Sequence, residues 1–182
     1  MEVYNENVLK DGQKLIIRNV SEDDAQGLID LLKTVDDETK FLAREPGEFC
    51  FTLEQEKEFI KGMMNADNNI LFIGEIDGTI VANCSVGIVT NNKRYLHRAA
   101  MGISVRKKYW SKGIGRLLMN ECINWCKEKG VEQLELEVVT ENSRAISMYE
   151  KFGFEKYGTK KHALKYSDGT YADEYYMILF LE

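Results

Sequence analysis

The chain has 182 residues, 44% hydrophobic and 30% charged, a composition that supports one packed domain over residues 1–182 and excludes a disordered or fibrous chain. A formal net charge of -6 argues against nucleic acid as a partner and mildly favours cationic ligands. Residues 1–15 lack a basic segment followed by an apolar run, and no later stretch approaches the ~20 apolar residues that cross a bilayer, so a soluble, cytoplasmic chain with no membrane partner is expected.

The four cysteines, Cys50, Cys84, Cys122 and Cys126, show no CxxC spacing, and the two histidines, His97 and His162, do not cluster with them. Cys122 and Cys126 lie one helical turn apart, which reads first as a pair of buried helix thiols, because a structural zinc site usually takes four ligands. Neither a metal nor a disulfide framework is expected.

In chain order, Lys14 to Val20 is a short run of strong β-formers closed by Ser21-Glu22-Asp23-Asp24, which can cap a helix and complement its dipole. Ala25, Leu28, Ile29, Leu31 and Leu32 then recur at helical spacing, and a second helix is predicted from Leu53 to Met64. Asp77-Gly78 between two β-rich segments signals a hairpin, and a further strand is predicted from Arg98 to Val105. Beyond Val105 the period becomes helical, with Ile114, Leu117, Leu118, Cys122, Trp125 and Cys126 near one face and Gly130 placed to stop the helix. The strand from Leu134 to Thr140, the helix from Ser143 to Lys151 and two β-rich segments flanking Ser167-Asp168-Gly169 complete the order β α α β β β α β α β β. No repeat or linker divides the chain, so the expected fold class is α/β (α+β): a mixed, mostly antiparallel central sheet flanked by helices.

The most informative stretch joins the strand ending at Val105 to the helix opening at Ile114. Gly113 and Gly115 permit close backbone approach, the helix start offers unsatisfied N–H donors, and Arg106, Lys107, Lys108, Lys112 and Arg116 add cations. The ligand this predicts is a phosphate or pyrophosphate; a tight turn with a solvated basic face is the competing reading. Neither a P-loop pattern nor a dinucleotide-binding glycine fingerprint is present.

Trp110-Ser111-Lys112-Gly113-Ile114-Gly115 resembles the [QR]-x-x-G-x-[GA] loop of the GNAT superfamily of N-acetyltransferases, with Trp110 standing where Gln or Arg is usual. The segment from Asn142 through Ala145, Tyr149 and Gly153 to Phe154 is similar to the family's N-x-x-A-x-x-x-Y-x-x-x-G-F block. The resemblance covers nearly the whole chain, and the C-terminal strand is similar to that of the bacterial ribosomal-protein alanine acetyltransferase branch. It implies a GNAT fold and acetyl-CoA as cosubstrate. The diphosphate would be held by the Lys112, Gly113, Ile114, Gly115 and Arg116 loop, and the pantetheine arm by backbone groups of Ile103 and Val105. Asn142 would bond the cofactor or cap its own helix.

Acetyl transfer from a thioester to an amine requires a neutral nucleophile and a stabilised leaving thiolate. A lysine-like amine is neutral in roughly one molecule in 2,500 at pH 7, a deficit of roughly 4.6 kcal/mol. Tyr149 matches the family's acid position, whereas Ala99 occupies the place where some members carry a basic Glu. Glu137 and Glu174, with Asp173 and His97, are the replacement candidates for the base, each competing with a solvated or structural role. The expected reaction is direct attack by a primary amine, from a small molecule or a protein N-terminus, in a ternary complex. A noncatalytic acyl-CoA-binding or sensing module is the alternative. Exposed C-terminal strand edges offer a route to a homodimer.

Overall fold

The computed structural model describes residues 1–181. Strands β1 (Tyr4–Val8) and β2 (Lys14–Asn19) lead into helices α1 (Ala25–Glu38) and α2 (Leu53–Met64), then β3 (Asn69–Ile76), β4 (Thr79–Ile88) and β5 (Arg98–Val105). Helix α3 (Ile114–Glu128), β6 (Gln133–Val139), α4 (Ser143–Lys151), β7 (Glu155–Lys165) and β8 (Tyr171–Phe180) follow. The order matches the expected one with a single addition. Strand β1 pairs antiparallel with β2 at the sheet edge, and four of its five residues are exposed. Its polar, non-alternating side chains therefore carry no β signal.

The local rules account for the joints. Asp77 and Gly78 both take positive φ, 49° and 74°, the geometry of the two-residue turn that lets β3 and β4 pair without splaying. Thr52 caps α2 by accepting the Gln55 N–H while Gln55 reaches back to the Thr52 N–H, a capping box that fixes where the helix starts. Helix α1 is preceded by a short 3-10 turn over Glu22–Asp24, because Asp24 turns inward to bond Arg18 at 2.7 Å.

The strands form one sheet in the order β1-β2-β3-β4-β5-β6-β8-β7. Every pairing is antiparallel except β5 with β6. One apolar layer buries Ile114, Leu118, Met119, Cys122, Trp125 and Cys126 of α3 with Tyr149 of α4 against Phe72, Cys84, Val86, Leu134, Leu136 and Met177 of the sheet. A smaller layer on the other face joins Leu28, Leu31 and Val35 of α1 and Ile60 of α2 to Leu71, Ile73 and Ile80. Each fully buried Leu or Ile in these layers contributes about 1.5–3 kcal/mol relative to exposure. Leu32 and Leu117, expected on the buried faces, are only half-buried at the margins of their helices.

The feature that positions the site is a split in the sheet. Strand β5 pairs with β4 from Ala99 to Val105 but with β6 only from Arg98 to Ala100. Strand β6 instead follows β8 as far as Val139. Past Ala100 the two strands diverge, so among the described residues the β6-facing backbone groups from Met101 onward have no ladder partner and line an open wedge, at whose end the Val105 carbonyl accepts the Trp110 indole N–H.

Candidate active site

The wedge points at the loop between β5 and α3. A 3-10 turn over Lys107–Tyr109 leads to Ser111 with φ 63° and Gly113 with φ 95°. Alternation of right- and left-handed residues curls the backbone so that successive N–H groups face the same side. Among the described residues, none accepts a hydrogen bond from the N–H groups of Ser111 to Arg116. Helix starts leave such donors unpaired, and here the three before the helix are unpaired as well. This row, at the positive end of the α3 dipole, is built to receive an anion.

The two glycines have different tasks. A side chain on Gly113 would meet nothing within 4 Å, and what its positive φ requires is conformational freedom. A Cβ on Gly115 would lie 3.1 Å from Met148 Sδ, so Gly115 lets α3 and α4 approach each other.

The loop's cations are also divided. Lys112 pairs with Asp11 at 2.7 Å and donates to Gln13 Oε1 at 2.9 Å, which ties the loop to the β1–β2 turn. Arg106 lies 3.9 Å from Glu38, whose carboxylate also accepts the Lys107 N–H, so the C-terminal end of α1 clamps the start of the loop. Arg116 is exposed. Ile103 and Val105 flank the wedge on β5, opposite Cys84 and Ala82 of β4.

Asn142 caps α4 by accepting the Ala145 N–H at 3.3 Å, the capping role expected of it. Tyr149 projects from α4 into the apolar layer, 6% exposed, with its ring 5.7 Å from that of Phe154. Burial, reinforced by the Cys84 and Cys122 thiols, raises its pKa far above the ordinary phenol value. The hydroxyl therefore stays protonated.

Ala99 is fully buried in the same layer, so a carboxylate at that position would be desolvated in the core. The acidic groups sit on the other face of the sheet. Glu137 lies opposite Tyr176 and Val139 opposite Glu174, which makes Glu137 and Glu174 diagonal neighbours on one face. Burial, a hydrogen bond to Glu137 and the charge of Glu137 raise the Glu174 pKa, while Lys160 opposes the shift. Lys160 reaches Glu137 at 3.4 Å. The structure thus brings the two expected carboxylates together, and it sets Tyr149 on the opposite side of the sheet.

Asp173 is spent structurally: it pairs with Lys161 at 2.7 Å and accepts the His162 N–H at 2.8 Å, bonds that lower its pKa. The His97 carbonyl accepts the N–H groups of Glu132 and Gln133, which starts β6 alongside β5. Cys84 and Cys122 have sulfurs 2.9 Å apart and are fully buried free thiols. Burial pushes the Cys126 thiol up to about 12.

A cleft of about 410 Å³ opens between the α1–α2 connection and β7, lined by Asp36 to Glu38, Lys40, Arg44 to Pro46 and Ala163 to Tyr166. Tyr166 donates to the Lys40 carbonyl at 3.0 Å, and Glu45 accepts the Ser167 N–H at 2.8 Å, so the two loops hold each other. A second hollow of about 530 Å³, bounded by the N-terminal segment, Trp125 and Lys129, contains no motif residue. Sequence reasoning did not single out the cleft, because its walls meet only through contacts more than 120 residues apart. Spacing along the chain does not point to Arg144 either, which stacks on Trp110; the departure from the family pattern at Trp110 is the available signal. Among the described residues, no group of three or more His, Cys, Asp or Glu side chains is placed to hold a metal, and no helix is long and apolar enough to cross a membrane.

Comparison with known proteins places this geometry. The chain is 38% identical over 108 residues to the L-amino acid N-acetyltransferase AaaT of Escherichia coli (strain K12), covering 56% of this chain and 62% of that protein. It is 40% identical over 52 residues to the ribosomal protein bS18-alanine N-acetyltransferase of the same strain, covering 29% of this chain and 35% of that protein. These matches thus span less than two thirds of either relative. In three dimensions, an acetyltransferase of the GNAT family from Streptococcus pneumoniae matches with a TM-score of 0.86 at 29% identity, over 92% of this chain and 99% of that one. The family model described as Acetyltransferase (GNAT) family matches residues 31–154, a span that holds the free-donor loop, the wedge and Tyr149, and the chain belongs to that family.

Proposed function

We propose that residues 1–182 act as one acetyl-CoA-dependent N-acetyltransferase domain, transferring acetyl to a primary amine by direct attack. The observation that carries this reading is the row of unpaired N–H groups from Ser111 to Arg116 beside the split between β5 and β6. An extended pantetheine arm can add its amides to the free edge of β5 while the diphosphate occupies the row. The thioester then lies in the wedge, between the Tyr149 face and the Glu137–Glu174 face. Acetyl-CoA supplies the activated acyl group, and no metal is needed for this chemistry.

The amine nitrogen attacks the thioester carbonyl carbon, the carbon–sulfur bond breaks, and the amine proton leaves. Unpaired β5 N–H groups near Met101 to Ile103 are suited to the developing oxyanion. Tyr149, with its raised pKa, is a weaker acid than a thiol near 8.5, so full proton transfer from it to the sulfur is uphill. Its role is to donate a hydrogen bond to the leaving thiolate. The Glu137–Glu174 pair takes the amine proton, directly or through water, and its charge favours a cationic acceptor. The acceptor approaches through the cleft between the α1–α2 connection and β7, either as a small amine or as a protein N-terminus. Action in the cytoplasm belongs to the same proposal, as does a homodimer, formed through the exposed edge of β7 because the C-terminal strand β8 is paired on both sides.

The test is release of free CoA thiol from acetyl-CoA across a panel of amino acids, polyamines and N-terminal peptides, alongside direct binding of acetyl-CoA. Acceptor-dependent release that falls in Tyr149→Phe is the expected result. Binding without turnover on any acceptor would favour a sensing module, and absence of binding would overturn the assignment.

A further inference from the structure

The family motif opens with Gln or Arg, a side chain able to donate to the cofactor's phosphates, and this chain has Trp110 there. The indole N–H is committed elsewhere: Nε1 donates to the Val105 carbonyl at 2.7 Å. That bond uses the edge of the indole, tying the ring to the end of β5 and leaving a face for stacking. On that face lies Arg144, the second residue of α4, with its guanidinium carbon 3.9 Å from the ring centre. An arginine stacked through its face keeps its in-plane N–H donors available at the edge, in the fork that matches phosphate oxygens. Arg144 is exposed, and among the described residues no carboxylate or carbonyl accepts from it. By contrast, Lys112 is drawn to Asp11 and Arg106 toward Glu38.

We propose that Arg144, held on the Trp110 platform, is the phosphate-binding side chain of the acetyl-CoA site, doing from α4 what the first motif position does from the loop. The ring and the guanidinium act as a unit: Trp110 fixes the direction, and Arg144 supplies the charge and the donors. The stack spans the two motif blocks, so cofactor phosphate would also draw the start of α4 toward the free N–H row. The inference rests on the acetyl-CoA reading above and names a phosphoester of that cofactor, either the diphosphate or the ribose 3′-phosphate.

The experiment measures dissociation constants of CoA, 3′-dephospho-CoA and pantetheine for the full chain and its Arg144→Ala, Arg144→Lys and Trp110→Arg/Arg144→Ala variants. Wild-type binding of CoA tests the underlying reading, and its failure would remove both. With wild-type binding in hand, Arg144→Ala is expected to weaken CoA about 10-fold or more, as loss of a charge-assisted bidentate contact does, while pantetheine affinity is unchanged. Arg144→Lys should recover only part, because an ammonium lacks the planar fork. Returning an arginine to the motif position in Trp110→Arg/Arg144→Ala should restore affinity, which a purely structural loss at the α4 start would not allow. If 3′-dephospho-CoA shows the same loss, the diphosphate is the ligand; if it shows none, the 3′-phosphate is. Equal weakening of CoA and pantetheine, or wild-type CoA affinity in Arg144→Ala, would overturn the proposal.

Discussion

The two faces of the sheet are organised by different means. On the α3 and α4 face, the site is mostly main chain: a row of free N–H groups, a strand edge without a partner, and one buried phenol. On the α1 and α2 face it is mostly side chain: paired carboxylates, a lysine, and two loops that hold each other through single hydrogen bonds. Backbone geometry can bind a constant ligand, since it depends on turns and helix ends rather than on particular side chains. A variable ligand needs side chains that can be exchanged without losing the fold. The invariant cosubstrate and the chain-specific acceptor fit that division.

Four substitutions can break or sharpen this contrast. Tyr149→Phe removes one hydroxyl from the first face and should lower kcat about 100-fold while the KM for acetyl-CoA stays within about twofold. Steady-state thiol release measures both, and an unchanged kcat would take leaving-group stabilisation away from α4.

Glu174→Gln should reduce kcat/KM about 10-fold at pH 7. Burial and Glu137 raise the Glu174 pKa above the usual carboxylate value, so the pair gains its proton as pH falls through that raised value and the rate falls with it. The acidic limb of the pH–rate profile should move to lower pH in the variant. A carboxyl whose folded pKa is raised costs stability once pH exceeds it, so thermal stability near pH 8 should be equal or higher in Glu174→Gln. A profile identical to wild type would remove the pair from proton transfer.

Arg44→Ala acts on the cleft proposed to admit the acceptor. It strips the partner from Asp36, which is 2% exposed and paired at 2.7 Å. Because Arg44 itself is 37% exposed, the expected loss is about 2 kcal/mol, below the range for fully buried pairs. Denaturant melts read that loss. The acceptor KM should rise severalfold while acetyl-CoA affinity holds, and a fall in both together would mean that the faces are not separable.

The smallest effect is expected from Gly115→Ala. Crowding of Met148 costs about 1 kcal/mol, Met is adaptable, and the helix gains a comparable amount from alanine. Acetyl-CoA affinity should stay within about threefold, and adding Met148→Ala should remove any loss. Abolished binding in the single variant would show instead that the ligand approaches Gly115 directly.

The sequence by itself determined the local elements and the family resemblance. Helical spacing from Ile114 to Cys126, the Asp77-Gly78 turn and the Asn142 cap are local patterns whose physics acts within a few residues. The two motif blocks are therefore legible in the sequence alone. Tertiary structure alone decided the rest. Strand β1 is a polar edge whose pairing comes from β2, not from its own residues. Gly115, read as a ligand-approach glycine, faces Met148 because α4 packs there. Lys112, read as a phosphate ligand, is turned to Asp11 across 101 residues of chain. Glu137 and Glu174 become neighbours only through the β6–β8 register, and Arg144 meets Trp110 only through the meeting of α4 with the loop. Such contacts are set by which surfaces pack together, a property that no spacing along the chain encodes.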